Sequence, residues 1–143
     1  MKRVRVTLFA DPATEETRAE PPHILLGRRG EDLAARYLVK KGYRICARNV
    51  RLGKSEIDII AFDPVDAILV FVEVKAKQTL NDAYLPSMNA GARKWQFLRR
   101  GIQKYIAEQA YDGGYRIDLI SVTDGKVLSH AKAVGGVWSL VKN

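Results

Sequence analysis

The chain has 143 residues, 47% of them apolar and 28% charged, with a formal net charge of +8. This is the composition of a folded domain and excludes a disordered chain, and the length favours one domain whose core needs no metal or disulfide staple. One cysteine, Cys46, excludes an internal disulfide framework, no apolar run approaches the roughly 20 residues of a membrane-spanning helix, and the basic N-terminus (Lys2, Arg3, Arg5) lacks the long apolar stretch of a secretory signal, so a reducing cytoplasm is the expected location.

In chain order, Val4, Val6 and Leu8 alternate with polar residues as in a short strand. Residues 11–22, rich in acids and closed by Pro21-Pro22, read as a linker. Residues 1–24 are therefore expected to be a flexible arm, dispensable for a compact domain at 25–143. Residues 28–41 form the first predicted helix. At about 100° per residue, Leu33, Ala34, Tyr37 and Leu38 share a face with Glu31 at its edge, Asp32 points away, and Gly42 ends the helix. Three strands follow: Tyr43 to Val50; Glu56 to Phe62; and Ile68 to Lys75. Period 2 places Ile57, Ile59 and Ala61 on one side of the second and Asp58, Ile60 and Phe62 on the other. The third is almost wholly apolar, as a strand buried on both faces is, with Leu69, Phe71, Glu73 and Lys75 on one face. Residues 78–88 read as a loop. A second helix, from about Ala90 to Gln109, carries the apolar stripe Trp95, Leu98, Ile102, Tyr105 and Ile106, with Arg93, Arg100 and Lys104 opposite. After Gly113-Gly114 come a strand from Tyr115 to Val122, an Asp124-Gly125 hairpin turn and a last strand at Val127-Leu128. The expected fold is α/β: a mixed β-sheet with helices packed on it, in the order helix, three strands, helix, two strands.

Charge is unevenly spread along these elements. Residues 27–53 carry a net +6 and residues 91–110 a net +4, while residues 54–90 between them carry −3. Basic surface suits a polyanion such as nucleic acid, and an acidic strip inside a basic frame suits a metal site to which the polyanion is brought. A solvated, ordinarily basic surface is the plain alternative.

Within the acidic strip, Glu73 ends an apolar strand, where a charge is costly unless compensated. Asp58 sits on a neighbouring strand and can point to the same spot. Two converging carboxylates make an oxygen site for a hard divalent ion such as Mg²⁺ (or Mn²⁺), and Lys75, on the face of Glu73, can orient a water for attack on a phosphodiester. Glu31 can add a third carboxylate, or it can simply favour the positive end of its helix. Glu73 and Lys75 can also merely pair with each other. Asp118 reads as a structural partner of a nearby cation rather than a member of the site. His23 and His130 have no partner at metal-ligand spacing, and Cys46 and Trp95 read as core. Arg28, Arg29, Arg48, Arg51 and Lys77 flank the acids and are the candidate phosphate contacts.

The ordered set Glu31, Asp58, Glu73-Val74-Lys75 resembles the PD-(D/E)xK nuclease superfamily, whose fold is restriction-endonuclease-like. The segments Gly27-Arg28-Arg29-Gly30-Glu31, Gly42-Tyr43, Arg48-Asn49, Glu56-Ile57-Asp58, Phe71-Val72-Glu73-Val74-Lys75 and Arg116-Ile117-Asp118 are similar to the signature of the YraN-like family of predicted endonucleases, itself similar to archaeal Holliday-junction resolvases. The likeness spans about residues 25–140. It implies metal ligation by Asp58 and Glu73, Lys75 as catalytic lysine, Glu31 as acidic helper, and a homodimer acting on DNA, perhaps branched or damaged. Two positions depart from the pattern: Ser55 stands where a glycine usually precedes the Glu-Ile-Asp triplet, and Lys77 where an arginine is usual, which keeps the charge but loses the bidentate fork. Three functions compete at this point: a metal-dependent nuclease, a nucleic-acid-binding module of the same fold with little or no activity, and a partner-binding protein whose basic surface serves solubility.

Overall fold

The computed structural model describes residues 21–77, 92–134 and 137–139. The expected strand at Val4–Leu8, most of the arm and the loop at 78–88 lie outside them. The elements are α1 (Pro22–Lys40), β1 (Arg44–Leu52), β2 (Ser55–Asp63), β3 (Ile68–Lys77), α2 (Ala92–Glu108), β4 (Gly114–Thr123), β5 (Lys126–Ala131) and a short β6 (Val137–Ser139). The sequence order of helix, three strands, helix and two strands is found, with β6 added. None of the described helices is long and apolar enough to cross a membrane.

One boundary moves. The first helix begins at Pro22, not residue 28. The Pro21-Pro22 pair reads as a breaker, but proline is well placed at the first position of a helix, where its missing N–H costs nothing and its φ is already helical.

The sheet runs β1-β2-β3-β4-β5, and β6 pairs with the start of β4. All neighbours are antiparallel except β3 and β4, which run parallel in register from Leu69↔Tyr115 to Lys77↔Thr123 with α2 in their crossover. A helix covers each face. On one side α2 presents Leu98, Ile102 and Ile106 to Ile60, Leu69, Phe71 and Ile117. On the other, Ala34 and Leu38 of α1 meet Ile59, Ala61, Val70, Val72 and Ile120. This accounts for the unbroken apolar run of β3, which is buried on both faces. Cys46 and the stripe from Trp95 to Ile106 fall in the α2-side core, as expected.

In β2 the strict alternation fails at one place. Ile57 packs with the α2-side cluster and Ile59 with the α1 side, so the expected grouping of Ile57 with Ile59 and Ala61 breaks across Asp58. The ladder to β3 also stops there, its last pair being Ile59↔Val72. Beyond that point β2 leaves β3 and stays with β1, paired as far as Leu52↔Ser55.

A buried polar network pins the other end of β2 and β3. Arg116, only 2% exposed, donates from Nε to Asp118 Oδ1 (3.0 Å), from Nη1 to Asp63 and Asp66 (3.0 Å each) and from Nη2 to the Tyr43 hydroxyl (2.8 Å). Asp118, fully buried, also accepts from the Ala133 N–H at 3.0 Å and meets His130 Nε2 at 2.7 Å. His130 Nδ1 in turn faces the Tyr37 hydroxyl of α1 at 3.1 Å. Burial alone would raise the Asp118 carboxyl, but His130, the Ala133 amide and Arg116 outweigh it and hold it below the usual range. Asp118 is thus a structural partner of Arg116, as read from the sequence. His130, set aside there as incidental, is a member of the same network.

Replacing Arg116 with methionine leaves Asp118 and Asp63 undercompensated in a dry place. Arg116→Met is expected to lower unfolding free energy by about 3–5 kcal/mol in a denaturant titration; a loss under about 1 kcal/mol would show that the network holds little of the fold together.

Candidate active site

Where β2 parts from β3, a side chain replaces the missing ladder bond. Asp58 Oδ2 accepts the Val74 N–H at 2.7 Å. The Asp58 carboxylate is therefore fixed against the peptide that follows Glu73. Glu73 is buried, 8% exposed, and shares the α2-side face of β3 with Leu69 and Phe71. Lys75, two residues on, lies on that same face, with Nζ 3.0 Å from Glu73 Oε1.

Glu31 reaches the site from the opposite side of the sheet, and Gly30 makes this possible. A Cβ at Gly30 would stand 2.7 Å from the Ala76 Cβ, so only glycine lets α1 lie this close to the end of β3. Glu31 then shares a hydrogen bond with Asp58. Because α1 starts at Pro22, Glu31 is well past the first turn, and its placement owes nothing to the helix N-terminus. The structure therefore brings Glu31, Asp58, Glu73 and Lys75 together from one helix and two strands.

The electrostatics are those of like charges crowded away from water. Glu31 is pushed up to about 7, first by burial and then by Asp58, against the pull of Arg48. Asp58 is raised as well, first by burial, with Glu73 adding to it and the Val74 N–H and Lys75 opposing. Carboxylates in this state are undersupplied with positive charge. Among the described residues no three acid, histidine or cysteine side chains already stand close enough to hold an ion. The donor set itself is all hard carboxylate oxygen, which fits Mg²⁺ or Mn²⁺ in kind, with Asp58 and Glu73 the residues that would hold it.

The candidate phosphate contacts divide. Arg48, on β1, is engaged with acids: Nη2 lies 2.7 Å from Asp32 Oδ1 and 3.9 Å from Glu31 Oε2. Its Nε is buried with no hydrogen-bond partner among the described residues. Asp32 thus meets a cation, although its direction away from the apolar face was legible. Arg28 and Arg29 are exposed on α1 one turn before Asp32 and Leu33, and Arg51 is exposed near the end of β1. Lys77 ends β3, and its side chain lies outside the described set. Sequence reasoning passed over Ser121, buried and paired in register with Lys75, and Thr123, paired with Lys77, whose buried Oγ1 has no hydrogen-bond partner among the described residues. Both are small polar residues inside an apolar strand, which is the signal that would have found them.

Fold and site together define an α/β protein whose mixed sheet opens at one end around three acids and a lysine. A family model described as uncharacterised protein family UPF0102 matches residues 30–122, which contain all four of these residues. The chain is 41% identical over 98 residues to a UPF0102 protein of Syntrophotalea carbinolica, covering 68% of this chain and 77% of that one. To a UPF0102 protein of Chlorobaculum tepidum it is 44% identical over 82 residues, 57% of this chain and 61% of the other. A UPF0102 protein of Prosthecochloris aestuarii is 54% identical over 63 residues, 44% and 47% of the two chains. The chain belongs to the UPF0102 family, which is the YraN-like family that its motifs resemble.

The raised carboxyls carry a pH signature. Glu31 and Asp58 bind protons more tightly folded than unfolded, so the stability they contribute is complete below the ordinary carboxylate range and is lost as pH rises through about 7. In EDTA the melting temperature is expected to fall between about pH 5 and pH 8, and Glu31→Gln to flatten that fall and to melt above the unaltered protein at pH 8. Identical pH profiles for the two proteins would contradict the crowding of charge described here.

Proposed function

We propose that this protein is a divalent-metal-dependent nuclease that hydrolyses phosphodiester bonds in DNA. One observation carries the reading: Glu31, Asp58, Glu73 and Lys75 converge where β2 parts from β3. A cluster of acids in a partly buried place is hard to explain by stability, since burial raises both Glu31 and Asp58, Asp58 raises Glu31 further, and Glu73 raises Asp58. A cation bound by Asp58 and Glu73 would offset that repulsion and supply Lewis acidity to the scissile phosphate.

The chain's own groups fill the remaining roles. Lys75, partly exposed beside Glu73, orients the attacking water or the phosphate. Glu31, with its carboxyl near 7, is matched to accept that water's proton at neutral pH. Arg48, held by Asp32 beside Glu31, adds positive charge next to the acids. Arg28, Arg29, Arg51 and Lys77 extend the basic frame along which a backbone is held, giving binding that weakens with salt and carries little sequence preference. Branched DNA as substrate and a homodimer as the working unit rest on the resemblance alone.

A second reading has its own support. The Lys75–Glu73 pair at 3.0 Å is also what a purely structural lysine would make, as in a binding module of the same fold with little or no activity. Cleavage of a panel of linear, nicked and branched DNA with Mg²⁺ or Mn²⁺ separates the two. Lys75→Ala is expected to abolish cleavage and leave DNA affinity within about twofold, since a group acting in the transition state costs no ground-state binding, while loss of the ion pair to buried Glu73 lowers the melting temperature in either reading. Asp58→Asn is expected to abolish cleavage and weaken divalent-ion binding too. A Lys75→Ala protein that still cuts, or an unaltered protein that cuts nothing with either metal, would favour the binding module.

A further inference from the structure

The site described so far leaves one basic and aromatic surface unused. The opposite side of α2 from its apolar stripe carries Phe97, Arg100 and Lys104, all exposed and spaced at three and four residues, so they lie along one face. Gly101 lies at the border between the two sides and is pressed against the β1–β2 hairpin. A Cβ there would stand 2.6 Å from the Leu52 carbonyl oxygen, so only glycine permits the contact. Phe97, one turn earlier, consequently stands by the turn of that hairpin, with the Lys54 ammonium 5.7 Å from its ring centroid. Arg51, exposed, is next to last in β1 and so precedes the same turn.

This rim lies on the catalytic side of the molecule. Ser55, the first residue of β2, is three residues before Asp58, so the hairpin turn stands roughly 10 Å beyond the acids along the strand. That is about the span of one or two nucleotides of an extended strand. Phe97 is 38% exposed with the Lys54 ammonium at its ring, so part of the ring is open to a ligand. A polyanion explains the cations. The ring needs something more, because bases inside a duplex are already stacked on each other and offer no face. An unpaired base does offer one, and a phenyl ring without hydrogen-bonding atoms would accept any of the four.

We propose that Phe97 and Lys54 form a stacking platform for an unpaired nucleotide near the scissile phosphate, so that the preferred substrate class is nucleic acid with unpaired bases next to the cleavage point. This deepens the nuclease reading and rests on it for the word substrate, but binding can be measured apart from cleavage. Fluorescence anisotropy of the full chain in EDTA, with a fully paired duplex and the same duplex carrying a three-nucleotide gap, tests it. The unaltered protein is expected to bind the gapped DNA more tightly. Phe97→Ala is expected to lower affinity for gapped DNA roughly tenfold more than for the paired duplex, and Phe97→Tyr to restore the difference. Lys54→Met, in an exposed turn and so harmless to folding, is expected to shrink the preference as well. Equal affinity of the unaltered protein for both DNAs would overturn the proposal. So would a preference that survives both Phe97→Ala and Lys54→Met. If Phe97→Ala fails to fold, survival of the preference in Lys54→Met alone overturns it. A Mg²⁺ cleavage assay on the same two DNAs keeps the readings apart: a Phe97-dependent preference without cleavage sinks the nuclease and leaves the platform, whereas cleavage without preference does the reverse.

Discussion

Asp58 stands in a partly dry place between two other carboxylates, sharing a hydrogen bond with Glu31 and repelled by Glu73, and the cost of burying these acids together is the constraint around which the molecule is arranged. Glu31, Asp58 and Glu73 come from different elements, so nothing local forces them together. Each is brought in by a separate device: the close approach of α1 at Gly30, the parting of β2 from β3 at Ile59↔Val72, and the end of the doubly buried β3. Asp58 is then locked by the Val74 amide. A fold that keeps such a cluster, with Lys75 and Arg48 as its cationic neighbours among the described residues, gives up stability for it, and a site for a cation is the use that this suggests.

That stability is supplied elsewhere. The two apolar layers on either face of β3 hold the sheet between α1 and α2. The Arg116 network sits at the far end of β2 and β3, where it ties Tyr43, the Asp63-Pro64 turn, Asp118 and, through His130, the Tyr37 of α1. One end of the sheet is thus cross-linked around a buried cation, and the other gathers acids that burial and like charge push up. A buried ion network of this kind adds little net stability over apolar packing, but breaking it is costly, so it fixes the register that the open end requires.

Much of this was legible in the sequence. The apolar run of β3 announced a strand buried on both faces, and period 2 put Glu73 and Lys75 on one face of it. The stripe Trp95, Leu98, Ile102, Tyr105 and Ile106 gave α2 its buried side. Other features were not legible, each for a physical reason. The break in alternation at Ile57 depends on where β2 leaves β3, which is a matter of tertiary pairing. His130 meets Asp118 only because β4 and β5 pair Ile120 with His130 across a hairpin. The start of α1 was hidden because proline breaks helices everywhere except at their first turn. Arg48 read as a candidate phosphate contact, yet Asp32 lies 2.7 Å away, a contact between a helix and a strand that spacing does not show.

The most direct measurement of the central claim is anomalous diffraction from crystals soaked in millimolar Mn²⁺. The expected result is one strong peak about 2.0–2.6 Å from carboxylate oxygens of both Asp58 and Glu73, with Lys75 displaced from its pairing with Glu73. An intact Lys75–Glu73 ion pair with no peak between Asp58 and Glu73 at full soaking would contradict it.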